Sequence, residues 1–377
     1  MKRIASAVLS VLFMFSFSIT VNAKESSEVN ISAEAYVLYC ADNGQIISSK
    51  NENKKMKPAS TTKIMTSLLA LEEASSQNKK VKFTEKMIAE GSSMYLKVGD
   101  VVTLKDLASG MMMASGNDAA NAAAISISGS SEKFADKMNK RAAQIGMKNT
   151  HFVTPSGLDD DNHYSTAYDM ALLMTYALEN EDFAKLTSQK SATVEFIEPS
   201  SKKTTYSNHN RLLSLYEYCI GGKTGYTMSA GRCLVSAAKK DGLTLVCVTL
   251  NDRNDWNDHI SLYNYGFEKY SCYTSDDISF FAEVPCVGGE SNSVTVTGEK
   301  AVSLVVSADD KGKIKRKVYL DNFLYAPIKQ GDCVGRIEYT LNGKFIDENN
   351  LIAVDSVNSK KENKNIFTII KDLFTYG

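Results

Sequence analysis

Residues 34–49 alternate apolar and polar side chains on either side of Asp42-Asn43-Gly44, which predicts a β-hairpin. The period changes after Pro58. Residues 64–74 are a dense apolar stretch of good helix formers, so a helix starts at Ser60 and is buried nearly all round. Thr103-Leu104-Lys105-Asp106 is a capping box opening a helix that runs into Met111-Met112-Met113. Ser115-Gly116-Asn117 breaks the helical pattern, and a small-residue helix is expected from Asp118 to Ser126. Residues 131–145 are amphipathic and helical, and Thr166-Ala167-Tyr168-Asp169 caps a helix reaching about Leu178. Two apolar runs, 231–238 and 243–250, flank Lys239-Lys240-Asp241-Gly242 as a second hairpin, with a helix around 258–268 after it. Both hairpins are too hydrophobic to stay unpaired. The economical fold is α+β: one antiparallel sheet flanked by helices, with the middle of the chain as a helical subdomain.

From about residue 275 the helical period vanishes. Short alternating segments at 294–297, 301–307, 313–320, 333–341 and 351–357 are separated by Gly, Asn and Asp turns, which predicts a small all-β domain. The two ends differ again. Lys2 and Arg3 precede an apolar run over residues 4–21, and Val21-Asn22-Ala23 puts small residues at the cleavage positions, so residues 1–23 read as a secretory signal. Near the other end a Lys/Asn/Glu-rich link precedes Ile366, Phe367, Ile369, Ile370, Leu373 and Phe374. At helical spacing these six share an arc of about 160°. A helix over 366–374 is roughly 14 Å long, far short of the ~30 Å hydrocarbon core. Lys360, Lys361, Lys364 and Lys371 outnumber Glu362 and Asp372, which suits lying in the interface of an anionic membrane. The expected organisation is therefore signal 1–23, main domain 24–273, all-β domain 274–357, and linker plus membrane-associating helix 358–377.

Composition narrows the function. The chain has 43 Lys and Arg against 44 Asp and Glu; without residues 1–23, which hold two of the basic residues, the balance is 41 − 44 = −3. Nothing there suggests nucleic acid. Seven cysteines in an exported chain leave at least one thiol unpaired, and Cys40, Cys233 and Cys247 lie in apolar runs as small buried hydrophobes. No Cys/His spacing suggests zinc, and Asp159-Asp160-Asp161 cannot all face one ion, so neither metal nor cofactor is expected.

Three strings carry the chemistry: Ser60-Thr61-Thr62-Lys63, Ser115-Gly116-Asn117 and Lys223-Thr224-Gly225. A serine hydroxyl is a poor nucleophile until something takes its proton. Lys63 lies one helical turn from Ser60 and can take it only when neutral, so its pKa must fall through burial and a nearby second cation. Lys223 is the candidate cation. Ser115 offers a hydroxyl able to relay a proton to a leaving amine, and Asn117 an amide to hold a substrate peptide group. Lys223 and Thr224 form a cation–hydroxyl pair suited to a terminal carboxylate. Gly225 removes a side chain, so that an extended substrate can approach the strand edge.

The three motifs, in this order, resemble those of the penicillin-recognising serine enzymes. Gly91-Ser92-Ser93-Met94-Tyr95-Leu96, Ser156-Gly157-Leu158-Asp159, the run from His163 to Met170, and Gly221-Gly222-Lys223-Thr224-Gly225-Tyr226-Thr227 are similar to the low-molecular-weight penicillin-binding proteins that are D-alanyl-D-alanine carboxypeptidases. Ala326-Pro327-Ile328 and Gly331 with Val334-Gly335 resemble that family's C-terminal domain, so the likeness spans about residues 30–357. It implies a β-lactamase/transpeptidase-like fold, Ser60 as the acyl-enzyme, Lys63 as general base and Ser115 as proton relay. It also implies Asn117, Lys223 and Thr224 as substrate ligands and an oxyanion hole from the N–H groups of Ser60 and Tyr226. Two positions depart from the family. Tyr226 stands where some members carry His, and a common arginine position holds Asp255, beside Trp256; the sequence leaves open whether Arg253 replaces it as a carboxylate ligand.

The resemblance implies a serine-type carboxypeptidase acting on peptidoglycan stem peptides that end in D-Ala-D-Ala, with β-lactams as covalent inhibitors. The signal and the tail helix set the expected place, the outer face of the cytoplasmic membrane. Two other readings are a β-lactamase and a non-catalytic wall-binding scaffold. The first lacks an E-x-x-L-N string between the second and third motifs, and intact Ser60, Lys63, Ser115 and Lys223 argue against the second. His151, His163, His209 and His259 share no spacing that suggests a triad.

Overall fold

The computed structural model describes residues 29–360. The expected signal (1–23) and tail helix (366–374) lie outside the described residues.

The first hairpin forms as β1 (Ala35–Cys40) and β2 (Ile46–Lys50). A 3-10 turn (Ala59–Thr62) carries Ser60, and α1 (Lys63–Ser76) starts at Lys63 itself, three residues later than expected. A short hairpin not anticipated from the sequence, β3 (Lys80–Lys82) with β4 (Val101–Thr103), leads into α2 (Leu104–Met113). Its capping box is closed: Asp106 N donates to Thr103 Oγ1 at 3.2 Å and Thr103 N to Asp106 Oδ2 at 2.9 Å. The helical subdomain continues with α3 (Asn117–Ser128), α4 (Ser131–Ile145), α5 (Ala167–Leu178) and α6 (Glu181–Thr187). A second small hairpin, β5 (Ser191–Glu195) with β6 (Lys203–Ser207), and the one-turn α7 (Leu212–Leu215) complete the middle of the chain. Then come β7 (Cys219–Thr227), β8 (Gly231–Lys240), β9 (Leu243–Leu250) and α8 (Asp255–Lys269).

Five strands form one sheet in the order β2-β1-β9-β8-β7, antiparallel throughout. Strand alternation divides its side chains between two cores. Val37, Val235, Val246 and Val248 pack with Leu68 of α1, Met111 of α2 and Met170 of α5. Leu38, Leu245 and Cys247 face the other way, onto Leu262 and Tyr263 of α8. Each fully buried Leu or Val contributes about 1.5–3 kcal/mol of transfer free energy, so the sheet is a stiff platform. Its last strand, β7, has one edge without a strand partner among the described residues, and that edge carries the third motif.

The C-terminal region is all-β. β10 (Tyr270–Ser275) is followed by β11 (Phe281–Val287), β12 (Ser293–Gly298), β13 (Val302–Ser307), β14 (Ile314–Leu320), β15 (Leu324–Tyr325), β16 (Cys333–Leu341) and β17 (Lys344–Ala353). Six of them make a sheet ordered β14-β16-β17-β12-β11-β15, while β10 pairs with β13. The 273/274 division expected from the sequence falls inside β10. The strand expected at 351–357 begins earlier, because Asn342 (φ 53°) and Gly343 (φ 78°) turn β16 directly into β17. β11 went unseen because Pro285 sits within it. All seven cysteines are free thiols, and Cys40, Cys233 and Cys247 are buried as expected.

Candidate active site

The nucleophile sits where the backbone is forced. Ala59 adopts a left-handed φ of 49°, and the turn after it places Ser60 at the rim of a cleft of about 460 Å³, partly exposed. Lys63, the first residue of α1, has no exposed surface. Its Nζ lies 2.8 Å from Ser60 Oγ, 2.7 Å from Asn117 Oδ1 and 2.7 Å from Ser156 O. Burial lowers its pKa far below the ordinary lysine value, the Lys223 cation lowers it further, and Asp118 works weakly the other way. The geometry suits a neutral amine. Asn117 Oδ1 and Ser156 O are pure acceptors and take both N–H bonds, which leaves the nitrogen lone pair for the Ser60 hydroxyl proton.

The second motif stands at the break between α2 and α3, with Ser115 at φ 57°. Lys223 Nζ, also buried, donates to Ser115 Oγ at 3.0 Å and to Thr224 O at 2.7 Å. Burial pulls its pKa down to about 7. Asn117 is buried: Oδ1 accepts from Lys63 and Nδ2 donates to Glu90 O at 2.7 Å. The carboxamide thus chiefly orients Lys63, and the substrate role expected for it falls to one remaining N–H. Next to it, Asp118 accepts from Met94 N (2.9 Å), Leu96 N (3.0 Å) and Ser93 Oγ (2.7 Å), fixing the loop that brings Ser92 to the cleft.

The third motif's glycine has a role the sequence did not show. A Cβ on Gly225 would lie 3.0 Å from Pro58 O, Ser60 N and Thr61 N. The missing side chain makes room for the nucleophile's own turn, seating β7 against Ser60, and Gly225 also lines the cleft. Thr224 and Tyr226 line the cleft, Tyr226 prominently exposed.

Several participants were marked in the sequence only by the resemblance, or not at all, and take roles it did not assign. Ser156 contributes a carbonyl, which side-chain chemistry cannot announce. Gly157, at φ 80°, lets that segment pass Ala59, since a Cβ there would fall 1.9 Å from Ala59 O. His163 is structural: Nδ1 accepts from the N–H groups of Val153 (3.0 Å) and Thr154 (3.2 Å), so Nε2–H donates to Thr62 Oγ1 at 2.9 Å. Burial holds its pKa near 4. Asp159 accepts from Thr227 Oγ1 (2.9 Å) and Ser229 Oγ (2.5 Å), tying the same segment to the end of β7. His209 and Arg232 also line the cleft, whereas Arg253 is exposed elsewhere. Arg232 could have been found by counting back from the β7–β8 turn, which sets it opposite Tyr226. Among the described residues no cluster of His, Cys, Asp or Glu could hold a metal ion.

A serine and a buried lysine one turn apart, a second serine–lysine contact beside them and an antiparallel sheet edge together define a serine acyl-transfer enzyme of the penicillin-recognising class. The chain belongs to the D-alanyl-D-alanine carboxypeptidase family, peptidase S11: that family's model matches residues 21–254, and the model of the penicillin-binding protein 5 C-terminal domain matches 267–359. It is similar to the D-alanyl-D-alanine carboxypeptidases DacF of Bacillus subtilis, 31% identical across 95% of both chains, and DacC of Escherichia coli, 33% identical across 92% of this chain and 90% of that one. The crystal structure of penicillin binding protein 5 from Haemophilus influenzae superposes with a TM-score of 0.71 at 29% identity, over 89% of this chain and all of that one. A Streptomyces K15 DD-transpeptidase structure matches the main domain at a TM-score of 0.61 and 30% identity, over 64% of this chain and 99% of that one.

Proposed function

We propose that this protein is a serine-type D-Ala-D-Ala carboxypeptidase that removes the terminal D-alanine from peptidoglycan stem peptides through an ester on Ser60. Neutral Lys63 takes the Ser60 proton as Oγ attacks the carbonyl of the penultimate D-alanine. The N–H groups of Ser60 and Tyr226, brought together by the Gly225 contact, receive the oxyanion. Ser115, held by Lys223, gives its proton to the departing D-alanine amine and recovers one from the Lys63 ammonium, which returns Lys63 to its neutral form. Water then attacks the ester, with Lys63 again as base, and frees the shortened peptide. Thr224 presents its hydroxyl to the substrate, and the remaining Nδ2–H of Asn117 faces the peptide carbonyl. β-Lactams acylate the same serine. The observation that carries this reading is the Lys63 amine, buried with two acceptors and Ser60 Oγ around it. Ser60→Ala should abolish labelling by a fluorescent penicillin and peptide cleavage together; cleavage that survives the substitution would overturn the assignment.

Residues 1–23 are proposed as an export signal and 366–374 as an interfacial anchor, which would place the enzyme in the cell-wall space at the membrane. No helix among the described residues is long and apolar enough to cross a membrane. Liposome co-sedimentation of the mature chain, compared with a version ending at Lys360, tests the anchor; equal sedimentation of the two would sink it.

A further inference from the structure

We propose that Arg232 reads the terminal carboxylate of the substrate and that Asp255 holds it in position to do so. The inference rests on the carboxypeptidase reading above. A peptide ending in D-alanine carries a negative charge into the cleft, and a partly desolvated carboxylate requires hydrogen-bond donors and a cation.

The two lysines of the site are already engaged. Lys63 Nζ serves Ser60, Asn117 and Ser156, and Lys223 Nζ is buried against Ser115 Oγ and Thr224 O. Arg253 does not line the cleft. Arg232 does. It lies on β8 directly opposite Tyr226, so it shares a sheet face with Tyr226 and with Thr224, two residues earlier on β7. Its side chain is 46% exposed.

One edge of the guanidinium is fixed. Nε donates to Asp255 Oδ2 at 3.1 Å, and Nη2 donates to Oδ1 at 2.7 Å and Oδ2 at 2.9 Å. Asp255 is itself buried, and its Oδ1 also accepts the Trp256 N–H at 2.9 Å. The guanidinium carbon lies 5.9 Å from the centre of the Trp256 ring. Nη1 makes no hydrogen bond to any described residue, and neither does Thr224 Oγ1. Two donors, from one arginine and one hydroxyl, are therefore free on the same cleft wall for the two oxygens of a carboxylate. Anchoring the other edge removes most of the rotamer entropy that a free arginine would lose on binding, and the planar fork keeps Nη1 turned away from Asp255. The anchoring carboxylate comes from the start of α8, so the reader and its holder sit on different elements and form a rigid bracket.

The test compares kcat and KM on a peptide ending in D-Ala-D-Ala with those on the same peptide as its C-terminal amide. Arg232→Ala should lower kcat/KM on the free carboxylate about 10- to 100-fold, mainly through KM, and leave the amide within about 3-fold. Arg232→Lys should fall between, since a lysine cannot use Asp255 as a bidentate anchor. Asp255→Asn should shift the carboxylate-to-amide ratio in the same direction by less. Equal losses on both substrates, or none on either, would overturn the proposal. Stoichiometric penicillin labelling of each variant checks that Ser60 and the fold are intact. Should Arg232→Ala fail to fold, the ratio in Arg232→Lys and Asp255→Asn decides. A parent protein that is neither labelled nor active on either peptide would instead overturn the carboxypeptidase reading beneath it.

Discussion

Two regions of this molecule bury charge, and they do it in opposite ways. In the all-β domain the Asp277 side chain has no exposed surface, and every neighbour answers it. Tyr339 donates at 2.5 Å, Ser275 at 2.8 Å, and Asn349 and Arg316 at 3.0 Å each. Burial alone would push that carboxyl up, yet the bonds from Asn349, Tyr339, Ser275 and Arg316 hold it below the usual carboxylate range. In the main domain Lys63 and Lys223 are as deeply buried, and neither forms an ion pair with a described residue. Their pKa values fall instead. A charge buried for stability is answered by its surroundings. A charge buried for chemistry is left in want of a proton or a ligand.

The largest effect should follow from removing Lys63, the proposed base. Lys63→Ala should slow acylation by penicillin about 10²–10⁴-fold, the range ascribed to general base catalysis. Far-UV circular dichroism and the melting transition should stay close to the parent's. Acylation at the parent rate would mean that another group deprotonates Ser60.

The answered charge should behave in reverse. Asp277→Asn leaves the Arg316 cation without its counter-charge, and breaking a buried pair of this kind costs about 3–5 kcal/mol. The all-β domain should melt earlier while penicillin labelling of Ser60 at room temperature is unchanged. Differential scanning calorimetry on the full chain would register this, and a loss of acylation with no thermal change would reverse the assignment.

Lys223 sharpens the contrast through pH. Its folded pKa, about 7, lies below the ordinary 10.5, so the cation is present below about pH 7 and lost as pH rises through it. Lys63 titrates in the same sense, its base form gaining as pH rises. If the Lys223 charge is what keeps Lys63 neutral and holds Ser115, kcat/KM should decline on the alkaline side of about pH 7. Lys223→Arg, which cannot deprotonate, should lower the plateau but move the alkaline limb upward by a unit or more. Lys223→Ala should hurt carboxylate and amide peptides alike, unlike Arg232→Ala. An unmoved limb in Lys223→Arg would assign that titration elsewhere.

The sequence made the framework of the site legible and hid its supports, for physical reasons. Ser60, Lys63, Ser115 and Lys223 meet because short motifs fix local geometry, and the Thr103 capping box and the 231–250 hairpin were readable from hydrogen-bonding residues and alternation. At Thr166 only the N-cap half of the expected box forms, because Asp169 accepts from Asn149 N and Thr150 Oγ1 instead. The helix at 131–145 matched to the residue because its amphipathic period has clear ends. Hidden parts act through backbone or through register. The Ser156 carbonyl has no side-chain signature, and His163 stabilises a loop by accepting two N–H bonds. Arg232 reaches the cleft because of where the β7–β8 turn falls. Gly225 was visible, but what it makes room for was decided by the packing of β7 on the Ser60 turn.

The smallest expected effect belongs to Asp159, a third carboxylate that separates support from stability. Unlike Asp277 it is exposed, and two hydroxyls answer it rather than four partners: Thr227 Oγ1 and Ser229 Oγ, from the end of β7 and the turn after it. Its own segment carries the Ser156 carbonyl that holds Lys63. The two bonds therefore join the segment that holds Lys63, the proposed base, to the strand end that carries the Tyr226 N–H. Solvated bonds of this kind are worth about 0.5–1.5 kcal/mol each at most, so Asp159→Ala should move the melting temperature by a few degrees or less. Loosening the distance between base and oxyanion site should still reduce kcat about 3- to 10-fold with KM little changed, because misplacement at a reacting centre is felt in the transition state. Asp159→Asn keeps one acceptor oxygen and should recover part of the loss. A melting shift as large as that of Asp277→Asn, or a kcat equal to the parent's, would show that the link between these two segments carries no catalytic function.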